Sequence, residues 1–147
     1  MRSFSGASLG LAMIALSAAI GCSQVGVVTA RRSFKAANAA YQAQDYKKAV
    51  QLYEEAVQND PKLDQAYFYL ANSYDNQYKP SRRGEPANDA LLQKAVENYQ
   101  ICADRLATSV DPVGKQLAVR SLEYLQAAYG PDKLNDPAKA EPIVSSR

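Results

Sequence analysis

Residues 48–53 read Lys-Ala-Val-Gln-Leu-Tyr, and residues 94–99 read Lys-Ala-Val-Glu-Asn-Tyr. The two segments share Lys, Ala, Val and Tyr at the same four places, with an offset of 46 between the copies (95 minus 49). Apolar and small residues recur in them at spacings of three and four, which is typical of a helix that buries one face. An internal repeat of this kind predicts that one helical unit occurs twice and that the copies pack on each other.

The helices that precede these two segments align at a different offset. The offset between Ala37 and Ala71 is 34 (71 minus 37), which matches the period of a tetratricopeptide unit. An insertion in the second unit accounts for the difference of 12 between the two offsets (46 minus 34). Pro80 and Gly84 mark a loop, so the insertion is expected at residues 79–90.

Turn signals divide the chain after residue 27 into six short helices, and the near absence of β-branched alternation indicates an all-α fold. The clearest starts are Asp111-Pro112 and Asp136-Pro137, where an N-cap acceptor precedes a proline at the first helical position. The predicted helices are 28–43, 46–59, 64–78, 88–107, 112–129 and a truncated one from 137.

Two of these helices carry the motif of the tetratricopeptide repeat family. In that family, helix A has a bulky residue, Leu, a small residue and Tyr, whereas helix B has Ala, an aromatic residue, Ala and Pro. The helix A pattern is matched by Tyr67, Leu70, Ala71 and Tyr74, and the helix B pattern by Ala49, Tyr53, Ala56 and Pro61. The chain therefore resembles the family over about residues 30–147.

The resemblance implies about three antiparallel helix pairs, the last one incomplete, in a short right-handed solenoid. The implied repeats are 30–63, 64–111 with the insertion 79–90, and a partial 112–147. Tyrosines at motif positions are expected to pack between helices. They are Tyr53, Tyr67, Tyr74 and Tyr99.

Members of the family present helix A residues on a concave groove that holds an extended peptide or a partner helix. By register, the resemblance implies a groove made of Arg31, Phe34, Asn38 and Tyr41 from the first unit and Gln65, Phe68, Asn72 and Asp75 from the second. Phe34 and Phe68 are expected to face solvent as binding hot spots, and the two Asn amides to pair with a peptide backbone. The alternative is that the phenylalanines pack inside and that the amides are only solvated polar surface.

The N-terminal region has the pattern of an export signal. Arg2 is followed by no charged residue until Arg31, and residues 9–20 form an apolar stretch that is followed by Gly21 and Cys22. The segment Ser-Ala-Ala-Ile-Gly-Cys that ends at Cys22 resembles a bacterial lipobox, in which the cysteine is lipidated and becomes the first residue of the mature chain.

The lipobox resemblance implies a signal peptide at 1–21 and a short tether at 22–29. Ser23 follows the cysteine, which in the enterobacterial sorting rule implies passage to the outer membrane. We therefore expect a lipid-anchored protein of the bacterial envelope that faces the periplasm, attached to the membrane through Cys22.

Two alternatives remain open at this end of the chain. The first is an uncleaved inner-membrane anchor, because the 28 uncharged residues (31 minus 2, minus 1) exceed the ~20 that a membrane helix needs. The second is a disulfide between Cys22 and Cys102 in an oxidising compartment. Lipidation of Cys22 would leave Cys102 unpaired, as an inert buried thiol in a helix.

Composition excludes several classes of function. The 147 residues suit one domain, and the net charge of +2 gives no excess that would predict a nucleic-acid partner. The chain contains no histidine, which removes His triads and His metal ligands. Glu54 and Glu55 are adjacent on a helix and do not face each other. We therefore expect no enzyme activity, no cofactor, no metal and no small-molecule substrate.

The function that fits these observations is an interaction scaffold or assembly accessory that binds a protein or peptide partner in the groove. The alternative is a structural tether to peptidoglycan or to the envelope. The basic residues Lys79, Arg82 and Arg83 of the insertion are expected to form a solvated loop, with contact to an anionic lipid or a partner carboxylate as the alternative.

Overall fold

A computed structural model describes the backbone of residues 10–140 and the side chains of residues 24–140. No strand occurs in that part of the chain, and the all-α class is confirmed. Its helices are α1 (Gly10–Gln42), α2 (Tyr46–Asn59), α3 (Asp64–Asp75), α4 (Pro86–Leu106) and α5 (Pro112–Ala128), with a short 3-10 turn at Pro80–Arg82.

Each helix packs against the next one in the chain, and α3 also contacts α5. One apolar cluster joins α1, α2 and α3, with Ala95 of α4, around Ala37 and Tyr53, and a second joins α3, α4 and α5 around Tyr99 and Leu125. We call α1 with α2 the first pair, and α3 with α4 the second pair. Both α3 and α4 contribute to the two clusters, and α3 is the central element because it contacts α2, α4 and α5.

Small residues lie where the repeated segments predict close helix contacts. Ala49 and Ala95, which occupy the same place in the two copies, are both 0% exposed. A side chain this small lets neighbouring helix backbones approach. The four motif tyrosines are also buried, so the prediction that they pack in the core is confirmed.

Two helix starts follow from N-cap side chains. Asp45 Oδ1 accepts a hydrogen bond from the Lys48 backbone N–H at 3.1 Å, and Asp111 Oδ2 accepts one from the Gly114 N–H at 2.8 Å. Each bond satisfies a donor that has no partner within its own helix. The predicted bounds of α2 are confirmed, and α5 begins at Pro112 as predicted.

The first helix is longer than predicted. It begins at Gly10 rather than at residue 28, so residues 22–29, interpreted as a tether, are helical. No proline interrupts this stretch. Gly26 has a packing role, because a Cβ there would lie 2.9 Å from the Asn59 carbonyl oxygen at the end of α2.

The helices beside the insertion also differ from the prediction. Helix α3 ends at Asp75 rather than at residue 78, and α4 begins at Pro86 rather than at residue 88. Pro86 is suited to the first helical turn, where its fixed φ fits and its missing N–H costs no bond. The insertion therefore ends in the first turn of α4.

Asn88 orders the insertion from within that first turn. Its side chain is buried, accepts from the Lys79 backbone N–H at 2.8 Å, and donates to the Lys79 and Arg82 carbonyls, each at 3.1 Å. Gly84 has φ +92°, in the left-handed region where a residue without a Cβ is favoured. The predicted loop is thus a closed structure that the Asn88 side chain ties to α4.

The ends of the chain carry two predictions that the structure leaves untested. Residues 137–140 are helical, in agreement with the predicted start at Pro137, and the rest of that helix lies outside the described residues. The side chain of Cys22, the predicted lipidation site, also lies outside them.

Candidate functional site

The predicted groove residues lie on α1 and α3, and the structure brings the two sets together. The Tyr41 hydroxyl of α1 donates to Asn72 Oδ1 of α3 at 2.6 Å. Spacings of three and four residues place each set on one side of its helix. Arg31 and Gln65 are exposed, whereas the other members except Phe68 are half-buried. We call this surface the α1/α3 face.

Phe68 corrects the expectation that both phenylalanines face solvent. Its side chain is 8% exposed, and its ring contacts Tyr69 and Tyr99 at centroid distances of 5.4 Å. It therefore belongs to the core. Phe34, at the equivalent place in the first pair, remains half-buried because no other helix pair precedes α1 on that side to cover it in the described chain.

A hydrogen bond between Asn and Tyr occurs at equivalent places in the two helix pairs. In the first pair, the Tyr53 hydroxyl donates to Asn38 Oδ1 at 2.6 Å. In the second pair, Asn72 Nδ2 donates to the Tyr99 hydroxyl at 3.0 Å. Each bond joins the first helix of its pair to the second, so both amides that were expected to pair with a peptide backbone have internal partners.

The Asn72 side chain forms more hydrogen bonds than the Asn38 side chain. Its Oδ1 accepts from Tyr41 and also from Asn76 Nδ2 at 2.7 Å. Since the oxygen is occupied, the amide nitrogen is the group left to meet Tyr99. The interpretation of Asn72 as freely solvated polar surface is wrong.

Tyrosine stacking repeats where each pair meets the helix that follows it. Tyr69 of α3 stacks on Tyr53 with centroids 6.0 Å apart and an interplanar angle of 16°, and Tyr124 of α5 stacks on Tyr99 at 4.1 Å and 30°. Sequence reasoning missed both Tyr69 and Tyr124. The available signal was that each directly precedes a buried leucine, Leu70 in one case and Leu125 in the other.

Tyr69 is the centre of an aromatic surface on the α1/α3 face. Its ring lies 6.1 Å from that of Phe34 and 5.9 Å from that of Tyr41, both in edge contact. All three side chains are half-buried, so each keeps part of its ring accessible. Edge contacts of this kind hold aromatic rings in fixed orientations. The face thus presents a preformed apolar floor with Asn38 beside it.

The end of the face nearest α5 is polar. Asp75 accepts hydrogen bonds from the Tyr124 hydroxyl and from Lys133 Nζ, the latter at 3.0 Å. Lys133 Nζ also lies 4.5 Å from the centroid of the Tyr124 ring. Asp75 is thereby joined to the segment after α5, and its charge is paired.

The tyrosine hydroxyls of this region remain protonated over the physiological range. Burial raises the pKa of Tyr53 and of Tyr99, and it raises the pKa of Tyr124 together with the hydrogen bond to Asp75. Neutral hydroxyls donate and accept hydrogen bonds but are poor nucleophiles. They serve to position the helices.

The remaining predicted positions lie away from this face. Cys102 is a free, fully buried thiol whose pKa is raised by burial. In the insertion, Arg82 pairs with Glu85, and the hydrogen bond from the guanidinium lowers the pKa of that carboxyl. Arg83 forms no such pair with a described carboxylate.

Two kinds of feature do not occur among the described residues. In that part of the chain, no group of His, Cys, Asp and Glu is arranged to hold a metal ion. Nor is any helix there both long and apolar enough to cross a bilayer. Comparison with protein-family models, curated proteins and solved structures finds no match to this chain.

Proposed function

We propose that this chain is a tetratricopeptide-type repeat lipoprotein of the bacterial envelope that binds a segment of a partner protein on the α1/α3 face. The observation that carries the proposal is the contiguous aromatic floor of Phe34, Tyr69 and Tyr41, each ring partly accessible and each fixed by its neighbour. Aromatic side chains that are held in place and desolvated on contact supply most of the energy of many protein interfaces.

The repeat character is supported by contacts that recur at equivalent places. The Asn–Tyr bond occurs in both helix pairs, and Tyr stacking occurs both between the first pair and α3 and between the second pair and α5. Recurrence of the same contacts is what a stack of similar units requires. The insertion changes the offset between the copies without removing these contacts.

The polar groups around the aromatic floor suit an extended partner segment. Arg31 and Gln65 are exposed at one end of the face, and Asp75 with Lys133 lies at the other. Asn38 has its oxygen engaged by Tyr53, which leaves its amide nitrogen as a donor toward a partner carbonyl. An apolar side chain of the segment would cover the rings while its backbone meets these polar groups.

Anchoring rests on the sequence between residues 9 and 22, where the apolar stretch leads to Gly21 and Cys22. Cleavage before Cys22 would leave a mature chain that runs from Cys22 to Arg147. Intact-mass measurement of the membrane-extracted protein tests this part alone. A lipid adduct on a chain that begins at Cys22 supports it, whereas a chain that retains residues 1–21 supports the uncleaved anchor.

Binding on the α1/α3 face is tested by photo-cross-linking in the intact envelope. A photoreactive residue at Gln65, which is exposed on the face, is compared with one at Gln58, which is exposed on α2. We expect one reproducible protein adduct from position 65 and none of the same mass from position 58. Equal adducts at both positions, or adducts with peptidoglycan only, would contradict the proposal, the latter in favour of a structural tether.

A charge reversal on α1 gives a matched pair of variants for the same experiment. Arg31→Glu alters the face, whereas Arg32→Glu makes the identical change at the next, also exposed, residue. Consecutive helix residues point about 100° apart. We expect the position 65 adduct to decrease at least several-fold in Arg31→Glu and to persist in Arg32→Glu. The reverse pattern would place the binding surface elsewhere on α1.

A further inference from the structure

Two valines near the start of the described side chains are exposed on α1. Val25 and Val28 are each 66% exposed, and their spacing of three residues places them on one side of the helix. The opposite side is packed, because Ala30 is 0% exposed and a Cβ at Gly26 would meet the end of α2. The two valines therefore form an apolar patch that no described helix covers.

Two basic residues continue the same side of α1. Arg32 and Lys35 are exposed, and they follow Val28 at spacings of four and seven residues. We call the surface of Val25, Val28, Arg32 and Lys35 the outer α1 face. Apolar side chains beside Lys and Arg on one side of a helix are typical of helices that lie in a membrane interface.

The positive charge on this side of α1 is not neutralised by neighbouring side chains. Arg32, Lys35 and the adjacent Arg31 form no ion pair with a described carboxylate, including those of α2. No Asp or Glu precedes Asp45 in the sequence, and Asp45 caps α2 beyond the other end of α1. The described part of α1 thus carries three positive charges and no negative one. This charge is complementary to an anionic surface.

The continuity of α1 places the outer α1 face close to the membrane. The helix runs through Cys22, so no extended tether separates the predicted lipidation site from the face. At a rise of about 1.5 Å per residue, Val25 and Val28 lie ~4.5 Å and ~9 Å from Cys22 along the axis. The headgroup layer of one leaflet is about 5–7 Å thick. An uncleaved anchor gives a similar placement, because the apolar residues 9–20 end shortly before Val25.

We propose that the outer α1 face binds an anionic phospholipid surface. This inference rests on the proposed membrane anchor and adds a contact that the anchor alone does not require. The two valines enter the boundary between headgroups and acyl chains, while Arg32 and Lys35 meet lipid phosphates. The helix inclines toward the bilayer, since in an upright helix Lys35 would stand ~20 Å from Cys22.

This orientation leaves the partner-binding surface accessible. Around the axis of α1, the centre of the outer α1 face and the centre of the α1/α3 face residues are about 120° apart. The α1/α3 face is then open to the side, next to the bilayer. A partner segment binds there without displacing lipid, so the membrane sets the orientation in which the segment is met.

The test uses the full chain, extracted from membranes and reconstituted into vesicles. An environment-sensitive fluorophore is attached through Val28→Cys on the outer α1 face or through Val119→Cys, which replaces an exposed valine of α5. Helix α5 packs against α3 and α4, and the native Cys102 is buried. The vesicles contain phosphatidylcholine alone or with one third phosphatidylglycerol. The parent chain, treated with the same fluorophore, gives the background.

We expect the position 28 emission to shift to shorter wavelength in the anionic vesicles and to return at high salt, because salt screens exposed charges. The position 119 emission should not change. Equal shifts at both positions would overturn the choice of face, and an equal shift in phosphatidylcholine alone would overturn the role of charge. A position 28 shift that appears in micelles without phospholipid as protein concentration rises would show self-association and overturn the proposal.

Two double variants with the same loss of charge give a matched control. Arg32→Gln with Lys35→Gln alters the outer α1 face, whereas Lys115→Gln with Arg120→Gln removes the same residue types from exposed positions of α5. Each basic residue near an anionic surface contributes about fivefold to binding. The ratio of lipid-bound to water-exposed position 28 probe should therefore fall at least tenfold in the first variant and persist in the second. An unchanged ratio in the first variant overturns the proposal.

Failure of this contact is distinguishable from failure of the anchor. A chain that stays with both kinds of vesicle while its position 28 probe remains in water keeps the anchor and overturns the outer α1 face alone. A chain that leaves both kinds of vesicle overturns both. Partner binding is reported separately by the position 65 adduct.

Discussion

The Asn–Tyr hydrogen bond of the first pair runs in the opposite direction to that of the second pair. Tyr53 donates to Asn38, whereas Asn72 donates to Tyr99. The difference arises because α1 precedes α3 and supplies Tyr41, whose hydroxyl occupies the Asn72 oxygen. Equivalent residues in a repeat therefore need not have equivalent chemistry, since each copy has different neighbours.

The two pairs also differ in the burial of equivalent residues. Phe34 and Phe68 occupy equivalent places, but Phe34 is half-buried and Phe68 is 8% exposed. In the described chain, the second pair has neighbours on both sides, and the first pair has one.

Truncation of the two phenylalanines should give unequal losses of stability. Phe68→Ala leaves a cavity in the core and should lower the free energy of unfolding by about 3–5 kcal/mol. Phe34→Ala removes a ring that is still partly hydrated, so we expect about half that loss. Urea unfolding followed by circular dichroism measures both. Equal losses would show that the two rings are equally buried.

Replacement of the two asparagines by alanine should also give unequal losses of stability in the two pairs. Asn72→Ala deprives the Tyr41 and Tyr99 hydroxyls of their partner and should cost about 2–3 kcal/mol, whereas Asn38→Ala affects Tyr53 alone and should cost about 1 kcal/mol. Tyr69→Phe is the control, since it keeps the ring, and the Ser73 hydroxyl bonds to the Tyr69 backbone carbonyl at 2.7 Å rather than to its side chain. The comparison fails if Asn38→Ala is as destabilising as Asn72→Ala.

Alkaline pH should destabilise both pairs. The folded pKa values of Tyr53 and Tyr99 are raised by burial above the ordinary value of 10.0. The free energy of unfolding therefore keeps the full contribution of these tyrosines below about pH 10, where the hydroxyls are protonated in both the folded and the unfolded state. It falls above that pH because only the unfolded chain loses the hydroxyl protons. The expected slope is about 1.4 kcal/mol per pH unit for each tyrosine.

The measurement is urea unfolding between about pH 8 and pH 11. Tyr99→Phe removes one titrating group and should reduce the slope above about pH 10 by one tyrosine's share, whatever its effect at lower pH. A slope that is the same in the variant and in the parent chain would show that Tyr99 ionises normally in the folded state.

Local signals in the sequence were sufficient for much of the helical framework. Asp45 and Asp111 cap helices at the predicted places because an N-cap acts through residues two or three positions away. The buried Ala49 and Ala95 followed from periodicity and from the repeated segment, which need no knowledge of how the helices pack. In contrast, the length of α1 was underestimated. The apolar stretch at residues 9–20 was interpreted as an export signal that precedes the first helix, although such a stretch is also compatible with a continuous helix.

The connections within the candidate site could not be predicted in the same way. Tyr41 reaches Asn72 over 31 residues, and Tyr124 reaches Asp75 over 49. Such pairs depend on how the helices are placed relative to one another, and side-chain periodicity gives only the face on which each residue lies. Asn88 was missed for the same reason, since its partners are backbone groups of a folded loop.

The position of α3 affects how the protein unfolds. Stacked helical arrays are commonly approximated as nearest-neighbour systems in which terminal units fray first. Here α3 is linked to α1 through Asn72 and to α5 through Asp75, so fraying at either end removes partners from the middle. The amides of α3 should therefore be the slowest to exchange with solvent deuterium, with opening energies close to that of global unfolding. We therefore expect the described helices to unfold as a single cooperative unit.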